Sequence, residues 1–195
     1  DNLSKNLTVV NSRFEKTGKR TQALMVDGIE GMTLKNNYFE GNPGTFNDTI
    51  KMTSNGNTDS GMHGNILVEG NEFVNSSQYT LWFVGGVYDV NIDIIGNKFI
   101  GCGDHDAGYL RAVITISSLT ISDGFKSTIN VEKNVFEDVD SAVRIQYGTL
   151  TADKLAINVK DNKFLSWRHD KVIVNNNSTT PAKDAANIIN AEYNY

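Results

Sequence analysis

Several features are scarce in this chain of 195 residues, and each scarcity excludes a class of protein. A single cysteine, Cys102, permits no internal disulfide and excludes a zinc site built from cysteines. Two prolines argue against a collagen-like or proline-rich segment. The net charge of −5 is mildly acidic and gives no reason to expect binding to a phosphate backbone. No apolar run approaches the roughly 18 residues of a membrane-spanning helix. We therefore predict neither a nucleic-acid partner nor a membrane span.

Asparagine, by contrast, is abundant, with 24 copies, and it belongs to a unit that repeats along the chain. Each unit is a short alternating segment such as "INVEKNVF" that ends on phenylalanine. The six copies end at Phe14, Phe39, Phe73, Phe99, Phe136 and Phe164. A weaker seventh copy places Tyr193 where phenylalanine would stand. Apolar residues at every second position predict strands with one buried face, and no segment shows a helical pattern.

Each full unit also contains a second short apolar run, such as "TLWFVG" or "AVITIS". Two or three short strands in each unit, repeated six or seven times, can stack so that every coil covers the apolar interior of its neighbour. The sequence therefore predicts an all-β protein, a parallel β-helix solenoid of about six to seven coils. We expect residues 1–195 to form one such domain, and to be a fragment of a longer chain.

Asparagine stands two residues before the phenylalanine in five of the units. These residues are Asn37, Asn71, Asn97, Asn134 and Asn162. Asparagine tolerates left-handed backbone, and its amide can hydrogen-bond to equivalent amides in a stack. We expect a ladder of amides along one corner, with the phenylalanine rings stacked inside it. The alternative is that asparagine only marks turns.

The Asn-x-Phe corner after a short β-branched strand resembles the right-handed parallel β-helices of the pectate-lyase-like superfamily. The resemblance extends from Leu7 to Tyr193. It implies a right-handed coil and a secreted or cell-surface bacterial protein. It implies less about activity, because the superfamily includes lyases, hydrolases, epimerases, adhesins and phage spikes.

Alternation also assigns the two faces of the second strand in each coil. The inward row is predicted to be Leu24, Ile50, Leu81, Ile114, Val143 and Val172. The outward row is then Met25, Lys51, Trp82, Thr115, Arg144 and Ile173. Trp82 offers a flat surface for stacking on a sugar ring, and Lys51 and Arg144 are suited to the carboxylates or hydroxyls of an acidic glycan. Alternatively, a long loop covers Trp82.

Acidic candidates lie in the turns that lead into these strands. Asp48 precedes one strand, and the insertion "GCGDHDAGYLR" contains Asp104, His105, Asp106 and Arg111. Insertions on one face of a solenoid often form binding sites, and paired carboxylates can act as acid and base in glycoside hydrolysis. The alternative is a solvated turn. We predict no cofactor; a divalent cation such as calcium is the one metal that this cluster leaves open.

The segment "VNIDIIGNKFIGCG…RAVITIS", residues 90–117, resembles coils of the α-1,3-galactosidase family of glycoside hydrolases. In that family a pair of aspartates precedes a strand and a histidine follows it. The stretch here that matches this feature is "FEGNPGTFNDTIKMTSNG", residues 39–56, which keeps Asp48 but has Asn47 beside it and no following histidine. This departure weakens the transfer of a catalytic pair to this chain.

Two hypotheses follow for function. The first is an extracellular carbohydrate-active protein, a glycoside hydrolase or polysaccharide lyase, with Asp48, Asp104, His105 and Asp106 as catalytic candidates. The second is a non-catalytic glycan-binding adhesin or a structural surface stalk. The carbohydrate-active protein and the adhesin both expect a polysaccharide or glycan as partner, whereas a structural stalk requires none. The sequence leaves the oligomeric state open.

Overall fold

The computed structural model describes residues 3–15, 22–42, 48–54, 60–103, 112–146, 150–168, 171–176 and 189–195. Every strand pair in these residues is parallel, and the strands form three sheets. No helix occurs among the described residues, and none there could cross a membrane. The predicted all-β parallel solenoid is confirmed.

The chain passes through sheets 1, 2 and 3 in turn and then repeats this order. Each strand therefore pairs with strands three places away in the chain and never with the next one. Sheet 1 contains β1 (Ser4–Val10), β4 (Ile29–Lys35), β7 (Met62–Glu69), β10 (Tyr88–Ile95), β13 (Ser127–Glu132), β16 (Leu155–Lys160) and β19 (Ile189–Glu192). Sheet 2 contains β2 (Arg13–Glu15), β5 (Tyr38–Glu40), β8 (Glu72–Val74), β11 (Lys98–Ile100), β14 (Val135–Glu137) and β17 (Lys163–Phe164). Sheet 3 contains β3 (Leu24–Asp27), β6 (Ile50–Thr53), β9 (Leu81–Val84), β12 (Ile114–Ser117), β15 (Val143–Gln146) and β18 (Ile173–Asn176).

The core lies between the sheets and consists of columns of equivalent residues. In sheet 1, Ile66, Ile92 and Ile129 are paired in register and are buried. Because side chains alternate across a strand, the residues between them point outward. A coil alone would expose this apolar face, so burial of the face depends on the neighbouring coils.

The predicted asparagine ladder is confirmed at the corner between sheets 1 and 2. Asn97 shows the pattern: its Nδ2 donates to Asn134 Oδ1 at 3.0 Å and to the carbonyl of Val68 at 2.8 Å. Its Oδ1 accepts from the backbone and side-chain amides of Asn71. The ladder runs through Asn37, Asn71, Asn97, Asn134, Asn162 and Asn194.

The predicted phenylalanine stack is confirmed as well. Its five successive ring pairs have centroids 4.8–5.2 Å apart. The separation matches the distance of about 4.8 Å between neighbouring strands, so one ring fits each coil. The rings of Phe39, Phe73, Phe99 and Phe136 are buried, which adds their apolar area to the core.

Three details of the prediction are wrong: two concern the register and one concerns the backbone conformation at the corner. Asn194, and not an earlier residue, continues the ladder, so Tyr193 does not occupy the phenylalanine position. Ile173 pairs with the inward Val143 and packs against the core, and the outward row therefore continues at Val174. The left-handed residue of the corner is the one before each ladder asparagine, for example Asn36 with φ 55°. The ladder asparagines therefore act through their hydrogen bonds and not through left-handed backbone.

The right-handed winding of the coil stays a prediction. Its physical ground is the strong preference of parallel crossover connections for the right-handed form.

Candidate functional site

The outward face of sheet 3 brings the predicted binding residues into one row. Met25, Lys51, Trp82, Thr115 and Arg144 pair in register on five consecutive strands. Neighbouring residues in such a row are separated by about 4.8 Å along the solenoid axis. Lys51 and Trp82 are therefore adjacent, while Arg144 lies two strands beyond Trp82.

Lys51 and Trp82 make direct contact. The Lys51 ammonium lies 4.6 Å from the centroid of the Trp82 ring, which is the geometry of a cation–π interaction. Both side chains are partly exposed. The contact places a positive charge and an aromatic surface together at the boundary with solvent.

Two further residues fix the orientation of Trp82. Its indole Nε1 donates to Ser117 Oγ at 2.9 Å, and the Tyr79 ring lies 5.0 Å away at a tilt of 42°. Sequence analysis did not identify either residue. Ser117 belongs to the next outward position of the neighbouring strand β12, so alternation could have found it. Tyr79 precedes β9 in a turn, where alternation gives no direction.

Exposure along the row decreases sharply after Trp82. Met25 is 56% exposed, whereas Thr115 is fully buried and Arg144 is 8% exposed. The accessible part of the row is therefore formed by Met25, Lys51 and Trp82. Arg144 lies in the predicted row, but its burial removes it from the accessible surface on which a glycan would lie.

Asp48 is also buried, at the start of the turn into β6. It lies two residues before Ile50, in the turn that precedes β6. Gln22 Nε2, one coil away, approaches Asp48 Oδ2 at 3.4 Å. The structure thus leaves the Asp48 side chain almost without contact with solvent.

Asp104, His105, Asp106 and Arg111 lie outside the described residues. The described corner before them ends at Gly103, whose backbone N–H donates to the carbonyl of Ser76 at 2.6 Å. Nothing in the structure bears on the arrangement of those four side chains.

An ion pair between a partly exposed arginine and a buried aspartate lies at this same corner. Arg168 Nε is 3.3 Å from Asp140 Oδ1, and Arg168 Nη2 donates to the Cys102 carbonyl at 3.0 Å. Burial raises the pKa of the Cys102 thiol, which is fully buried and therefore suited to packing, not to nucleophilic attack. The described carboxylates, imidazoles and thiol form no group of three or more that could hold a metal ion.

Comparison with models of known protein families, with curated proteins and with solved structures finds no significant match.

Proposed function

We propose that this chain is a carbohydrate-active parallel β-helix of the pectate-lyase-like type, acting outside the cell or at its surface, and that it binds a polysaccharide on the outward face of sheet 3. The observation that carries the proposal is the contact between Lys51 and Trp82, a cation held 4.6 Å from the centre of a partly exposed indole ring.

This arrangement suits a sugar for two physical reasons. The apolar face of a sugar ring packs on an indole, and Met25 adds an exposed apolar side chain two strands away, on the other side of Lys51. The Lys51 ammonium can donate hydrogen bonds to hydroxyls or carboxylates of the same glycan. Ser117 and Tyr79 already hold Trp82 in place, so little side-chain entropy is lost on binding.

Hydrolysis or lyase chemistry on the bound chain is one form of the proposal. Asp48, Asp104 and Asp106 are its candidate acid and base groups. The alternative is a non-catalytic adhesin or stalk, and the burial of Asp48 favours it. A catalytic carboxylate has to reach the scissile bond, and a side chain that is buried from solvent cannot do so without moving.

A glycan array on the full chain tests binding. Trp82→Ala is expected to lose binding by about tenfold or more, because the stacking surface is removed. Trp167→Ala is the matched control, since Trp167 is 46% exposed and belongs to another part of the coil. Equal binding by wild type and Trp82→Ala to every glycan that binds would contradict the proposal.

Product assays on each glycan that binds then separate turnover from binding. Release of reducing ends indicates hydrolysis, and release of unsaturated ends indicates a lyase. Binding without either product supports the non-catalytic alternative.

A further inference from the structure

The outward face of sheet 1 contains a depression that the candidate site does not use. Three neighbouring strands each carry one left-handed residue at the same level: Asn6 with φ 56°, Gly31 with φ 80° and Gly64 with φ 75°. The register between β4 and β7 shifts there, between Glu30 and Met32. The bulge interrupts the flat sheet, and two of its three residues have no side chain to fill the space.

The resulting groove has a volume of about 460 Å³ and a polar lining. Asn6, Thr8, Thr33 and Asn65 contribute amide and hydroxyl groups, and Glu30 contributes a carboxylate that pairs with a lysine of β1. These groups are both donors and acceptors, as sugar hydroxyls are. The groove is thus built for hydrogen bonding and not for an apolar ligand.

Two sets of linked polar side chains, offset by two residues along the strands, continue from the groove along the solenoid axis and together form the amide row of this face. Asn91 Nδ2 donates to Asn65 Oδ1 at 3.4 Å, on the strand next to the groove. Further along, Asn158 Nδ2 donates to Asn130 Oδ1 at 2.8 Å, and Asn130 Nδ2 donates to Asp93 Oδ1 at 2.7 Å. An asparagine side chain has two N–H donors and two lone pairs. A row that uses one N–H of each amide therefore holds the amides in place and leaves the second N–H for a ligand.

The charges on this face favour an uncharged ligand. Lys5 pairs with Glu30 at 2.7 Å, and Lys35 pairs with Glu69 at 2.7 Å. Within the amide row itself, the charged group is the carboxylate of Asp93. An anionic polysaccharide would meet this carboxylate and lysines that are already neutralised by glutamates.

We propose that the outward face of sheet 1 is a second glycan-binding surface, which takes a neutral, extended polysaccharide lying along the solenoid axis from the glycine groove to the amide row. This surface belongs to a different sheet from Lys51 and Trp82, and the inference does not depend on the function proposed for sheet 3.

Isothermal titration calorimetry of the full chain with cellohexaose, xylohexaose and mannohexaose tests the proposal, with a hexamer of galacturonic acid as the anionic comparison. At least one neutral hexamer is expected to bind, and the anionic hexamer to bind more weakly at this face. The double variant Asn130→Ala/Asn158→Ala is expected to reduce neutral-hexamer affinity about tenfold or more, because hydrogen-bond donors to the ligand are lost.

Two further variants keep the test decisive. Thr33→Trp fills the groove without touching the amide row and is expected to reduce the same affinity. Lys98→Ala, on the outward face of sheet 2, is the control and is expected to leave the affinity unchanged. A lack of binding by all three neutral hexamers would overturn the proposal. So would binding that survives both sheet 1 changes, or binding that is lost only in Trp82→Ala, which would assign it to sheet 3 instead.

Discussion

Asn97 links three consecutive coils, because its amide donates to the next coil and to the previous one and its carbonyl oxygen accepts from the previous one. In Asn97→Ala the carbonyl of Val68 and the amides of Asn71 lose this partner in a buried site. We expect the free energy of unfolding to fall by about 2–5 kcal/mol, given a cost of about 1–3 kcal/mol for each unsatisfied buried group. Urea denaturation measures the change.

The matched control for Asn97→Ala is Asn194→Ala. Asn194 occupies the same column in the last described coil, where it is part-exposed and water can replace its hydrogen bonds. We expect its free energy of unfolding to fall by less than about 1 kcal/mol. An equal fall in the free energy of unfolding in the two variants would show that the stabilisation by a ladder asparagine does not depend on its burial.

Tyr88 is expected to make the free energy of unfolding depend on pH in the alkaline range. Burial raises the pKa of its hydroxyl, which donates to the carbonyl of Met52 at 2.6 Å, well above the ordinary value near 10. Above pH 10 the unfolded chain loses this proton while the folded protein keeps it. The stabilisation that comes from the shifted pKa of Tyr88 is therefore fully present below pH 10 and is lost as the pH rises toward the folded-state pKa.

The measurement for Tyr88 is the urea midpoint at pH 8 and at pH 11. Tyr88→Phe is expected to be less stable than wild type at pH 8, because the Met52 carbonyl loses its donor, and to lose less stability on going to pH 11. Tyr193→Phe, at a side chain that is 69% exposed, is expected to behave as wild type. A wild-type pH dependence in Tyr88→Phe would contradict this assignment.

At the scale of elements, the turn after β9 depends on a glycine. Gly86 has φ 80°, and a Cβ there would overlap the hydroxyl of Ser54, which accepts the Val87 N–H at 2.8 Å. Gly86→Ala is expected to lower the urea midpoint by the equivalent of about 2 kcal/mol or more, since strained backbone and a displaced hydrogen bond both contribute.

Gly124 separates the two causes. It has φ 81°, and a Cβ there would meet nothing within 4 Å, so Gly124→Ala carries the backbone strain without the overlap. We expect it to cost about 1 kcal/mol. The difference between the two variants measures the close approach to Ser54. No difference would mean that the turn relaxes around a Cβ.

The same elements show how far the sequence predicts this fold. The ladder and the stack were predictable because asparagine and phenylalanine mark one point in every coil, whatever the length of the loops between. The register failed where that landmark is missing. In the last described coil Asn194 is the ladder residue, so no phenylalanine within the given sequence marks its register. The turn into β18 offers Val172 and Ile173 as adjacent candidates for the inward row.

The candidate site was predicted less completely than the fold. Alternation gave the direction of Lys51, Trp82 and Arg144, but direction does not determine what covers a side chain. Arg144 is therefore buried in a row whose other end is exposed. The contact of Trp82 with Tyr79 depends on the path of a turn, which period-two alternation does not encode.

At the scale of the whole molecule, stability is approximately a sum over neighbouring coils, because each strand pairs only with strands of the adjacent coils. Central strands pair on both sides, whereas β1 and β19 each pair on one side in the described sheets. β1 is also largely exposed, while alternate residues of β13 are buried. Opening should therefore be easier at the two ends than at the centre.

Hydrogen exchange measured by mass spectrometry tests this gradient. We expect peptides covering β7, β10 and β13 to exchange at least about tenfold more slowly than those covering β1 and β19, since tenfold corresponds to about 1.4 kcal/mol of opening free energy. In Asn97→Ala, protection should fall mainly in β7, β10 and β13, because the lost hydrogen bonds join those coils. Uniform protection from β1 to β19, in wild type and variant alike, would mean that the solenoid opens as one unit and that its coils do not contribute separately.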